Sequence, residues 1–136
     1  MSEEFVPRVV IVDDQPLVRS MVVAKVTSFG CEVVGQGENG REGIELWERE
    51  KPDLILLDLH MPKVDGEYAA KYILSLHPDA YVVVLTTKRD PDAMRELLLN
   101  VGVRAWVNKD LEPELLDTEL KKHIERVKQG NDGASG

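Results

Sequence analysis

Five short apolar runs punctuate the chain: VVIV (9–12), CEVVG (31–35), LILL (54–57), YVVVL (81–85) and RAWV (104–107). Rich in Val, Ile and Leu and bounded by polar residues, they read as β-strands. The segments between them change to a helical period. Val18, Met21, Val22, Val26 and Phe29 fall on one face, as do Ala69, Tyr72, Ile73 and Leu76, then Met94, Leu97, Leu98 and Val101, and finally Leu116, Leu120, Ile124 and Val127. Asn39 and Glu42 form an N-x-x-E capping pattern, and Pro16, Pro91 and Pro113 stand where the first turn of a helix accepts proline. Strand and helix alternate over five rounds. That order predicts an α/β fold, a doubly wound five-stranded parallel sheet with right-handed crossovers and five helices on its two faces. Strands that are apolar throughout agree with a sheet covered on both sides.

Composition narrows the reading. A chain of 136 residues has room for one core, expected over residues 1–129, with 130–136 as a flexible tail or linker in the QGNDGASG stretch. The 25 acidic against 17 basic residues give a net charge of −8, which opposes general attraction to nucleic acid or to anionic membranes. No apolar run approaches the roughly 18 residues of a spanning helix, and MSEEF lacks the regions of a signal peptide, so a cytoplasmic location is expected. Cys31 is alone and reads as a small buried residue.

In an open parallel sheet, ligands bind beyond the carboxyl ends of the strands. There this sequence places Asp13 and Asp14 after the first strand, Asp58 after the third, Thr86 and Thr87 after the fourth, and Asn108 and Lys109 after the fifth. Crowded carboxylates resist ionisation unless a positive charge sits among them, and hard oxygen ligands of this kind suit Mg²⁺. With an ammonium and a hydroxyl added, the rim could receive a phosphoryl group, with Asp58 as acceptor. Each residue has a plainer reading: Asp13 or Asp14 as a helix cap, Asp58 as a turn former beside Asp65-Gly66, the others as solvated surface. Four strand ends converging on one rim favour the functional reading.

These residues, in the stretches VVIVDDQPLVR, GENGREGIEL, DLILLDLHMPKVDG, VVVLTT and GVRAWVNKD, resemble the receiver domain of two-component response regulators over about residues 7–128. The resemblance implies the flavodoxin-like strand order 2-1-3-4-5, which periodicity does not give. It implies phosphorylation of Asp58 by a histidine kinase or phosphotransfer protein, with Mg²⁺ held by Asp13, Asp14, Asp58 and the backbone carbonyl of His60. Lys109 and Thr86 (or Thr87) would stabilise the phosphoryl group, Thr86 and Trp106 would act as the switch, and a downstream protein partner, an output domain or a homodimer would read the changed surface of helix four, strand five and helix five. Family spacing from Gly102 selects Thr87, whereas the VVVLT pattern selects Thr86, which we prefer. The family usually follows its lysine with proline; here Asp110 follows Lys109, and a non-proline cis bond costs about 3–4 kcal/mol, favouring trans. His60 and Lys88 stand at positions beside the phosphorylation site that vary among relatives. Two rival functions remain: a haloacid-dehalogenase-like phosphatase with an aspartyl nucleophile, and a receiver-like scaffold that is never phosphorylated. His60, His77 and His123 lack ligand spacing and read as surface histidines, Trp47 as packing, and Gly35 and Gly37 lack the context of a nucleotide loop.

Overall fold

A computed structural model describes residues 5–59, 65–87 and 91–135. The chain runs β1 (Arg8–Val12), α1 (Pro16–Ser28), β2 (Glu32–Gly37), α2 (Gly40–Glu50), β3 (Leu54–Asp58), α3 (Gly66–Leu76), β4 (Val82–Thr86), α4 (Pro91–Glu96), β5 (Ala105–Asn108) and α5 (Pro113–Ser135). The strands pair in parallel in the order β2-β1-β3-β4-β5. Each strand ends within about two residues of its apolar run, and the three prolines open α1, α4 and α5.

Strand alternation sorts the core into two layers. Val10, Val12, Ile55, Leu57, Val82 and Val84 face α2, α3 and α4, where they meet Leu46, Trp47, Ile73 and Met94. Val9, Ile11, Leu54, Leu56, Val83 and Leu85 face α1 and α5, where they meet Val22, Val26, Leu120 and Ile124. Asn39 caps α2 by accepting a hydrogen bond from the Glu42 N–H at 2.9 Å, while the Glu42 carboxylate accepts from the Glu38 N–H at 2.8 Å. After α4 the chain widens into a π-helical turn, Leu97–Val101, closed by Gly102 at φ 96°.

The α3 face differs from the expectation. Ala69 and Ile73 are buried on α3, but their partners on that face are Ala70 and Leu74, leaving Tyr72 and Leu76 at 41% and 55% exposure. Four of the five residues from Ala70 to Leu74, all but Lys71, are apolar, so the helical period alone permits two stripes. The α5 backbone continues as helix to Ser135; extending an existing helix costs far less than starting one.

His123 also departs from its expected surface position. Instead of lying at the surface it is 2% exposed on α5, with the Tyr81 hydroxyl 2.9 Å from Nδ1 and the Tyr81 ring edge-on to its own. Burial, helped by the nearby Lys122 and Arg126 cations, pushes its pKa down to about 4. Because the folded pKa lies below the unfolded value, the stabilisation is present above about pH 6.5 and is lost as pH falls towards 4, about 3 kcal/mol in all. Urea unfolding of wild type against His123→Phe should therefore show a smaller loss of stability from pH 7 to pH 4 in the variant. Equal losses would remove His123 from the acid response.

Candidate functional site

The carboxyl rim of the sheet is built from the ends of β1, β3, β4 and β5. Asp13 follows β1 directly and every polar group of it is engaged. Its N–H donates to the Gly37 carbonyl at 3.0 Å, and its carbonyl accepts from Arg19 Nη1 at 2.7 Å. Its Oδ1 accepts from the Gln15 N–H at 2.9 Å, and its Oδ2 accepts from Lys109 Nζ at 3.1 Å. The Asx turn and the Arg19 contact fix the entry to α1, and with it the direction of Asp13 and Asp14.

Asp58, the last residue of β3, is 1% exposed, with Oδ1 3.4 Å from Lys109 Nζ. Lys109 thus reaches both carboxylates from beyond β5, its side chain only 8% exposed. Asp14 completes the group from a half-buried position, and one carboxylate oxygen from each of Asp13, Asp14 and Asp58 lies within 4.8 Å of the others. Among the described residues, Lys109 is the one ammonium paired with this cluster of three carboxylates. The all-oxygen donor set fits a hard divalent cation such as Mg²⁺ better than Zn²⁺.

The two threonines separate. Thr86 ends β4 fully buried, and its hydroxyl has no hydrogen-bond partner among the described residues; Thr87 is exposed. Trp106 stands on β5 with 42% exposure, on the opposite face of the sheet from the buried Val107. It borders a largely apolar groove of about 410 Å³ with Pro91, Met94, Arg95, Leu98 and Leu99. No peptide bond among the described residues is cis, so Lys109–Asp110 is trans. His60 and Lys88 lie outside the described residues.

Away from this rim, Trp47 is buried and stacks on His77 with ring centroids 4.3 Å apart. Cys31 is buried in the α1–α5 layer, and burial pushes its thiol pKa up, the wrong direction for a nucleophile. Arg19 was given no role by the sequence; its only signal is a helical position one turn into α1, which many surface arginines share.

A flavodoxin-like sheet carrying an acidic triad and a reaching lysine at its carboxyl rim defines a receiver-type α/β domain. Residues 9–121 match the response regulator receiver domain, and the chain belongs to that family. It is 33% identical over 115 residues to the chemotaxis protein CheY of Thermotoga maritima, a match covering 85% of this chain and 95% of that protein. It is 38% identical over 117 residues to the transcriptional regulatory protein YhcZ of Bacillus subtilis, covering 85% of this chain but 54% of that protein. Among solved structures, the response regulator domain of Thermotoga maritima CheB superposes with a TM-score of 0.81 at 26% identity, covering 92% of this chain and 98% of that one. The chain thus spans nearly all of one relative and about half of the other. Receiver domains are signalling switches, and among the described residues no helix is long and apolar enough to cross a membrane.

Proposed function

We propose that Asp58 accepts a phosphoryl group and that the resulting charge alters the α4-β5-α5 surface to control a partner. The observation that carries this reading is the burial of one carboxylate, Asp58, between two further carboxylates and the Lys109 ammonium, at the end of the central strand. A carboxylate oxygen of Asp58 would form the new bond to phosphorus while the bond to the donor breaks, with the electron pair leaving on a histidine imidazole or on the carboxylate of a small acyl phosphate. Asp13, Asp14 and Asp58 are the residues that would hold Mg²⁺, together with the His60 carbonyl that the family resemblance implies. Bound there, the ion supplies positive charge to the phosphoryl oxygens. Lys109 meets the same oxygens from the β5 side, and the free Thr86 hydroxyl can donate to one of them. A histidine kinase or phosphotransfer protein is the natural donor, and the reader of the surface is a separate protein, a second copy or an output domain; a cytoplasmic setting suits all three.

Incubation with a small acyl phosphate and Mg²⁺, followed by intact-mass measurement, tests this directly. One stable phosphoryl group is the expected result. Steady release of phosphate with many turnovers would favour an aspartyl-nucleophile phosphatase, and an unchanged mass would favour a scaffold that is never phosphorylated.

Two further outcomes follow from the same geometry. Asp14→Ala should weaken Mg²⁺ binding by at least about tenfold, because a divalent ion held by few protein oxygens loses much of its charge complement with one of them. Titration calorimetry showing unchanged affinity would take Asp14 out of the ligand set. Trp106, exposed beside the α4 groove, should change its fluorescence on phosphorylation, whereas the buried Trp47 should not. Replacing each by Phe in turn separates them, and a response carried wholly by Trp47 would contradict the proposed route.

A further inference from the structure

Lys109 must reach the site from a loop with no proline to stiffen it, and the structure shows what takes that place. Its backbone N–H donates to the Thr86 carbonyl at 2.8 Å, which carries the β4–β5 ladder one residue past the end of β5. The chain then turns at once. Asn108 Oδ1 accepts the Asp110 N–H at 2.8 Å, and the Leu111 N–H closes the turn on the Asn108 carbonyl at 3.3 Å. Lys109 is therefore the second residue of a four-residue turn whose first residue holds it from both main chain and side chain.

We propose that Asn108 is a positioning residue for phosphoryl transfer, its side-chain turn fixing the Lys109 backbone so that the ammonium is delivered between Asp13 and Asp58. This inference rests on the phosphorylation of Asp58 proposed above. The lysine side chain has a flexible four-carbon stem, and each additional freedom at its Cα would multiply the arrangements in which Nζ misses the site. A proline at 110 would restrict the turn through its ring; Asp110 leaves φ open, and the Asn108 amide oxygen supplies the restraint instead. The same turn holds Lys109 N–H on the Thr86 carbonyl, so the two groups proposed to meet the phosphoryl oxygens share one anchor. Asn108 itself touches none of the three carboxylates in the hydrogen bonds and ion pairs of the described residues, so its effect is expected on the transfer step and not on metal affinity.

The residue type is specific to the job. An Asx turn needs an acceptor oxygen three bonds from Cα, which Asn and Asp possess and Ala does not. Asn108→Ala should slow phosphorylation by a small acyl phosphate about three- to tenfold, the effect of one partly exposed turn bond. Mg²⁺ affinity should stay within about twofold, and Asn108→Asp should restore most of the rate because its carboxylate oxygen accepts the same Asp110 N–H. Amide hydrogen exchange on the full chain supplies a readout independent of chemistry: Asp110 should exchange faster in Asn108→Ala and near the wild-type rate in Asn108→Asp. A normal rate in Asn108→Ala, equal impairment in both variants, or a loss of Mg²⁺ affinity matching the loss of rate would each overturn the positioning role. If wild type takes up no phosphoryl group, the functional reading fails by itself; unchanged Asp110 exchange in Asn108→Ala would then still overturn the proposed turn.

Discussion

Asp58→Asn should emerge from incubation with a small acyl phosphate and Mg²⁺ at its unmodified mass, while wild type gains one phosphoryl group. The amide cannot supply the anionic oxygen that must bond to phosphorus, yet it keeps the size and shape of the buried side chain. Its fold should survive the change. Removing one of three crowded carboxylates relieves their mutual repulsion, so the metal-free variant should melt no lower than wild type. Loss of labelling with an intact melting transition therefore isolates chemistry from folding. A phosphoryl group found on Asp58→Asn, or mapped in wild type to Asp13 or Asp14, would sink the assignment of Asp58 as acceptor.

Gly66→Ala should be the most damaging single methyl group that can be added at this site. Gly66 opens α3 directly after Asp65, whose Oδ1 caps the helix by accepting the Tyr68 N–H at 2.8 Å. The helix start is pressed against the end of β3. A Cβ on Gly66 would collide with the Asp58 carbonyl oxygen and stand 2.8 Å from the Asp58 carbonyl carbon and the Leu59 Cα. These are backbone atoms of a central strand and its continuation, and no side-chain rotation can clear them. Alanine's better helix propensity, worth about 1 kcal/mol, is outweighed by strain expected to cost a net 2–3 kcal/mol. Displacement of the Asp58 backbone should also slow phosphorylation. Urea unfolding provides the measurement, with Gly130→Ala as the reference, since a Cβ on Gly130 of α5 meets nothing within 4 Å. If the two variants prove equally stable, the close approach of α3 to Asp58 is wrong.

How much of this was legible in the sequence depended on how sharply each pattern excluded its alternatives. The strands were legible because VVIV, LILL and VVVL are apolar on both faces, as a strand between two helical layers must be. On α5 the stripe Leu116, Leu120, Ile124 and Val127 is buried in full, because charged residues surround it and no second stripe competes. On α3 two stripes competed, and small Ala70 was less conspicuous than Tyr72, although the smaller residue lets the helix sit close to the sheet. His123 was misread for a related reason: burial of a histidine depends on a partner, here Tyr81, forty-two residues away in sequence. The site's carboxylates and lysine were visible from their places at strand ends. Arg19 and the Asn108 turn were not, since both act through backbone atoms, whose positions no side-chain pattern encodes.

The buried Thr86 hydroxyl has an energetic meaning beyond its place in the site. A buried donor without a partner raises the free energy of the arrangement that contains it by about 1–3 kcal/mol. Among the described residues nothing accepts from this hydroxyl, so an arrangement that gives Thr86 an acceptor gains by up to that amount. Under the switch proposed above, a phosphoryl oxygen offers such an acceptor in only one of two arrangements. A bias of that size corresponds to a shift of about 5- to 150-fold in their relative populations. Thr86→Val, which removes the unmet donor, should narrow the gap between resting and phosphorylated populations, making the domain less responsive without making it less stable.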